Sequence, residues 1–61
     1  MKLLRLYDMY SKSHVTIDYC EVISMHIVDD NVIISVYERN PTINVKTYKV
    51  NNIELKKELM K

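Results

Sequence analysis

The chain contains no glycine, alanine, phenylalanine, tryptophan or glutamine. The missing glycine excludes the most. A phosphate-cradling P-loop, a dinucleotide-binding turn and a hydrolase nucleophile elbow all need glycine where the backbone turns tightly or approaches a ligand. None of them exists here in standard form. Cysteine occurs once, at Cys20. It cannot form an internal disulfide, and an unpaired thiol fits a reducing cytosol. Long apolar runs are also missing. The longest is the three residues 32–34, whereas a membrane helix needs about 20. The first eight residues are interrupted by Arg5 and Asp8, unlike a signal peptide. The expectation is a soluble cytoplasmic protein with no membrane partner.

What is present is short and balanced. The 61 residues are expected to form one small β domain over 1–61. A chain of this length buries only about 60% of the surface that its unfolded form exposes. Its core rarely supplies more than roughly 3–5 kcal/mol without a staple. The hydrophobic fraction is 48%, enough to fold, and the formal net charge is +1. Lys, Asn, Ile, Tyr and Met, the residues of A/T-rich codons, fill 28 of the 61 positions. That bias points to a low-G+C genome, such as a Firmicute or one of its phages or plasmids. Short cytoplasmic proteins of that origin are often accessory products of mobile elements.

Seven Val, seven Ile, three Thr and five Tyr favour strands. The strongest pattern covers residues 15–27. Its odd positions read Val15, Ile17, Tyr19, Glu21, Ile23, Met25 and Ile27, and only Glu21 interrupts the apolar face. Straight, this stretch would span roughly 40 Å. A compact domain of this length has a radius of gyration of only about 10–11 Å. The strand must therefore bend or break, and Glu21 is the natural place.

A hairpin follows around Asp29, Asp30 and Asn31. A two-residue turn at Asp30-Asn31 would pair Ile27 with Ile34 and His26 with Ser35, keeping the faces separate. A turn at Asp29-Asp30 keeps them separate too, so the register stays open. Asn and Asp are the non-glycine residues that best tolerate positive φ. Asn40-Pro41 marks a second reversal. Residues 2–10 read as a first strand ending in a turn at 11–13, and residues 42–50 as a last one. From Asn52 the tail reads as a turn or two of helix, capped by Asn51 or Asn52, with Leu55 and Leu59 at i, i+4. Ile53 and Leu55 would also suit a strand. The fold expected is all-β: four to five antiparallel strands in a strongly bent sheet or small SH3-like barrel, with a possible short C-terminal helix.

Several constellations invite chemistry. His14, Asp18, Cys20 and His26 share even positions. His14 and Cys20, however, are roughly 20 Å apart on an extended strand, and zinc holds its ligands at about 2.0–2.3 Å. A metal site is not expected, and the alternative is a half-buried structural thiol with two surface-leaning histidines. Cys20 as a nucleophile lacks any local feature that would lower its pKa, because Asp18 and Glu21 would raise it. The acidic pair Asp29-Asp30 is explained by turn chemistry. No catalytic, cofactor-binding or metal residue is therefore assigned, and no enzyme is expected.

The remaining pattern is a cation two residues from a tyrosine. It occurs in Arg5-Leu6-Tyr7, Tyr37-Glu38-Arg39 and Lys46-Thr47-Tyr48. On a strand each pair shares a face. Three such pairs could stack bases and hold phosphates, as small barrels do for single-stranded nucleic acid. A net charge of +1 argues against that partner. A protein partner fits better, since Tyr and Arg are enriched at interface cores, with Tyr7, Tyr10, Tyr37, Arg39 and Tyr48 as the contact candidates. Exposed sheet edges can also pair with a second copy, and oligomerisation stabilises small domains. The leading expectation is thus a non-enzymatic interaction module, such as a phage or mobile-element regulator or inhibitor of a host protein. The alternative is a small barrel that binds single-stranded nucleic acid.

Overall fold

The structure is a computed structural model that describes residues 2–39 and 42–61. It contains β1 (Leu3–Asp8), β2 (Ser13–Asp18), a 3-10 turn (Tyr19–Glu21), β3 (Val22–Val28), β4 (Asn31–Glu38), β5 (Asn44–Asn51) and α1 (Asn52–Leu59). All pairings are antiparallel. One sheet holds β1 and β2, and the other has the order β3-β4-β5.

Strict alternation builds β1. Leu4 and Leu6 are fully buried and their neighbours exposed. Asp8 takes the next inward position, and its carboxylate ends the strand. Oδ1 accepts the Tyr10 N–H at 3.1 Å and Oδ2 accepts the Ser11 N–H at 3.1 Å. The expected strand 2–10 therefore stops at Asp8. The turn occupies residues 9–12, closing with Lys12 at φ 56°.

The long pattern over 15–27 breaks as expected. The Asp18 carboxylate accepts the Cys20 N–H at 3.0 Å, and the chain passes through the 3-10 turn before re-entering a strand. The radius of gyration is 11.0 Å. In the hairpin that follows, the turn sits at Asp29-Asp30, the second of the two placements that the pattern allows. Asp29 takes the left-handed φ of 56°. Asn31 is drawn into the ladder opposite Val28 on one side and Asn51 on the other. The Asp30 carbonyl accepts the Asn52 N–H at 2.9 Å, tying the turn to the start of the helix. Met25 thus faces Ile34, Ile27 faces Val32 and His26 faces Ile33. A bulge between Val22 and Ser24 leaves Ile23 as the extra residue of β3.

The last strand runs over Asn44–Asn51, two residues later at its start than expected. The expected reversal at Asn40-Pro41 lies outside the described residues. The tail is helical: the Asn51 side chain caps it, accepting from the Ile53 and Glu54 N–H groups at 2.9 and 3.2 Å. Leu55 is buried, whereas Leu59 is 37% exposed. Glu58 takes the inward place expected of Leu59.

A closed barrel does not form. Among the described residues, the hydrogen bonds between the end of β1 and β5 are confined to Lys49, whose carbonyl accepts the Met9 N–H at 2.8 Å and whose N–H donates to Asp8 Oδ1 at 3.0 Å. Along the rest of that β1 edge the helix intervenes. Glu58 Oε1 accepts the Arg5 N–H at 2.9 Å, and Glu54 Oε1 accepts the Tyr7 N–H at 3.2 Å. Residues four apart share a helix face and residues two apart share a strand edge, so two carboxylates stand in for a neighbouring strand. One core results. Leu4, Leu6 and Ile17 of the smaller sheet meet Val32, Ile34, Val36 and Val50 of the larger one, and Leu55 closes the helix side.

Candidate interaction site

The five predicted contact residues do not share one surface. Tyr7 lies on the outer face of the β1–β2 sheet, where it meets His14 edge to face, with ring centroids 5.3 Å apart. Tyr10 is exposed in the turn after β1. Tyr37, Arg39 and Tyr48 gather elsewhere, around one cleft. Thr16, Ile17 and Asp18 at the end of β2, Glu21 of the 3-10 turn, Val36, Tyr37 and Glu38 at the end of β4, and Tyr48 of β5 enclose about 290 Å³. Small-molecule sites are usually about 300–1,000 Å³, so this cleft suits a side chain or short segment.

Two of the three predicted cation–tyrosine pairs form. The Arg39 guanidinium lies 5.6 Å from the Tyr37 ring centroid, and the Lys46 ammonium lies 5.6 Å from that of Tyr48. Such contacts contribute about 0.5–1 kcal/mol at exposed sites, and their main effect is to hold the rings in place. Arg39 also reaches Glu21 at 3.6 Å. The three pairs sit on three different faces. Arg5 and Tyr7 are on the outer face of the smaller sheet. Tyr37 projects from the outer face of the larger one. Lys46 and Tyr48 pair with Val36 and Ile34 on its core side. They do not compose one stacking platform.

The cleft is acidic. Asp18, Glu21 and Glu38 line it, so a phosphate chain would meet three carboxylates there. The sequence pattern presents Asp18 as a candidate metal ligand, Glu21 as a break point, both as neighbours that raise the Cys20 pKa, and Glu38 as a residue inside a cation–tyrosine pair. Their convergence depends on the 3-10 turn folding β2 back beside the end of β4. Cys20 is exposed on that turn rather than half-buried. His14 and His26 are exposed, on β2 and β3 respectively. Among the described residues no three His, Cys, Asp or Glu side chains are placed to hold a metal ion. No helix of the described residues is long and apolar enough to cross a membrane.

The two carboxylates with displaced pKa values lie outside the cleft. Burial pushes Asp8 up, but hydrogen bonds from the Lys49, Tyr10 and Ser11 backbone and the Ser11 hydroxyl outweigh it and hold the group below its ordinary value. Glu58 is lowered by its hydrogen bond with Lys61, assisted by the Arg5 N–H. Both are structural. Asp8 carries a signal that could have revealed it: a carboxylate on the even positions of Leu4 and Leu6, just before a turn rich in unpaired N–H groups. No known protein family matches the chain, and no curated protein or solved structure does.

Proposed function

We propose that the protein is a non-enzymatic interaction module that binds a partner protein through the cleft between the 3-10 turn and the end of β4. The observation that carries this reading is a cleft lined by Tyr37 and Tyr48 together with Asp18, Glu21 and Glu38, with Arg39 joined to Glu21 and Tyr37 beside it. Two tyrosines held by cations offer rigid apolar contact. Asp18, Glu21 and Glu38 favour a segment that brings a basic side chain. Cys20 and both histidines lie outside the lining, which supports a binding rather than a catalytic role. The A/T-rich coding bias favours a phage or mobile-element regulator or inhibitor acting on a host protein in the cytoplasm.

Titration with short arginine-containing peptides, followed by amide NMR, tests the reading. Shifts should concentrate at Asp18, Glu21, Tyr37, Glu38 and Tyr48 and weaken in a Glu21→Gln/Glu38→Gln variant. Shifts scattered over the surface, or none, would overturn it. The Arg39–Tyr37 and Lys46–Tyr48 pairs favour a second reading, single-stranded nucleic-acid binding. A thymidine oligonucleotide bound with steep salt dependence, in the absence of peptide binding, would establish that instead.

A further inference from the structure

The strand edges of this fold are treated unequally. The outer edge of β1 is occupied by Glu54, Glu58 and Lys49. The outer edge of β5 receives Met9 and Asp8. The outer edge of β3 receives nothing comparable. Among the described residues, no hydrogen bond from outside the β3–β4 ladder reaches residues 23–28. Natural edges are usually blunted by charge or proline. β3 reads Val-Ile-Ser-Met-His-Ile-Val, with no Lys, Arg, Asp, Glu or Pro. Ile23 is 56% exposed, Ile27 71% and Val28 43%.

The order of these residues says what covers them. β3 is a near-palindrome about Met25: Val22 matches Val28, Ile23 matches Ile27, and the small polar Ser24 matches His26. A two-residue turn closes on a hydrogen-bonded pair, here Val28 and Asn31. By alternation His26 and Ser24 also direct their backbone groups toward β4, while Ile27 and Met25 direct theirs outward; the alternation stops at the bulge between Val22 and Ser24. We propose that β3 pairs antiparallel with β3 of a second copy across a two-fold axis at Met25, giving one continuous six-stranded sheet.

In that register Met25, with its backbone groups facing outward, lies opposite its symmetry mate, and Ile27 lies opposite the bulged Ile23 of the second copy, twice over. The bulge leaves Ile23 without a partner on β4, and the second copy's Ile27 supplies one. A slip of one residue would set isoleucine against serine or histidine. Because a two-fold axis places like against like, an uncharged strand is what self-pairing requires. The pairing ends where charge begins, since Asp29 would face Glu21 of the second copy. This surface meets the cleft only at Glu21, so loss of peptide binding and loss of the dimer are read separately.

Sedimentation equilibrium at NMR concentrations should show a particle of twice the 7.3 kDa chain mass. Ile27→Lys, at an exposed site, should return it to the monomer with its fold intact. Asp29→Asn should tighten it. In the wild type the amides of Met25 and Ile27 should exchange slowly, and in Ile27→Lys at least tenfold faster. Met25→Cys in a Cys20→Ser background should form a disulfide dimer on mild oxidation, because hydrogen-bonded antiparallel partners sit about 5.5 Å apart at Cα. A wild-type monomer would overturn the proposal. So would a dimer that survives Ile27→Lys and leaves those two amides exchanging fast. The Glu21→Gln/Glu38→Gln variant should lose peptide binding yet remain dimeric, which distinguishes failure at the cleft from failure at the edge.

Discussion

Asp8 Oδ1 accepts the backbone N–H of Lys49 at 3.0 Å, and this bond joins the two sheets. The same carboxylate holds the Tyr10 and Ser11 N–H groups, so three backbone donors depend on one buried side chain. Replacing Asp8 with Ala should cost about 2–4 kcal/mol, because charge-assisted hydrogen bonds are lost and the Lys49 donor is left unpaired. Against a core of roughly 3–5 kcal/mol, that leaves little folded protein. Urea titration of the wild type and Asp8→Ala measures the difference.

Acid should unfold the protein early. Asp8 and Glu58 are both held below their ordinary values of 3.8 and 4.5. A carboxylate lowered in the folded state contributes stability that is fully present above its unfolded pKa and is lost as pH falls through the folded one. Stability should therefore be level above about pH 5 and decline below the ordinary values of the two groups. Circular dichroism melts from pH 7 to pH 2 test this. Glu58→Gln should show a shallower decline.

The helix should depend on Leu55 and not on Leu59. Leu55 is 3% exposed and belongs to the core, while Leu59 is 37% exposed. Leu55→Ala should cost about 2–5 kcal/mol, and Leu59→Ala less than about 1 kcal/mol. Asn51→Ala, which removes the cap from the Ile53 and Glu54 N–H groups, should cost about 1 kcal/mol. Melting temperatures of the three variants rank these contributions.

A glycine-free chain must put side chains where glycine would be easier. Lys12 adopts a φ of 56°, which costs an L-residue without a local polar group about 1–2 kcal/mol. Lys12→Gly should remove that strain and lose roughly 0.4–1 kcal/mol to the freer unfolded chain. The expected balance is a small stabilisation, seen as a higher denaturation midpoint. Asp29→Gly should gain less, because a short polar side chain tolerates the same φ.

Much of this architecture is written in local pattern. Alternation over 15–27 with one carboxylate out of phase predicts the break, and Asp29, Asp30 and Asn31 mark the turn because Asn and Asp tolerate positive φ best; which two of the three close it is set by register. The helical tail follows from its Asn51 cap, whereas Leu55 suits helix and strand alike. What local pattern does not show is long-range satisfaction of polar groups. Glu54 and Glu58 look like solvated helix residues until β1 is laid beside them, and their role there is why the sheets stay separate. The cleft escapes for the same reason, since Asp18, Glu21 and Glu38 meet only after the chain has folded back. The cation–tyrosine pairs were legible because i and i+2 share a face on any strand. Which face each pair occupies is set by register, and register is a tertiary property.

The three strand ladders all join elements adjacent in the chain, whereas the bonds that lock the sheets and helix together span 41 residues from Asp8 to Lys49 and 53 from Arg5 to Glu58. This division sets an order in time. Hairpins of neighbouring strands close their loops cheaply and form early, and the carboxylate clasps can engage only after both hairpins exist. Breaking a clasp should therefore leave the folding rate nearly unchanged and accelerate unfolding. The buried carboxylates would then govern how long each folded molecule lasts rather than how quickly it forms.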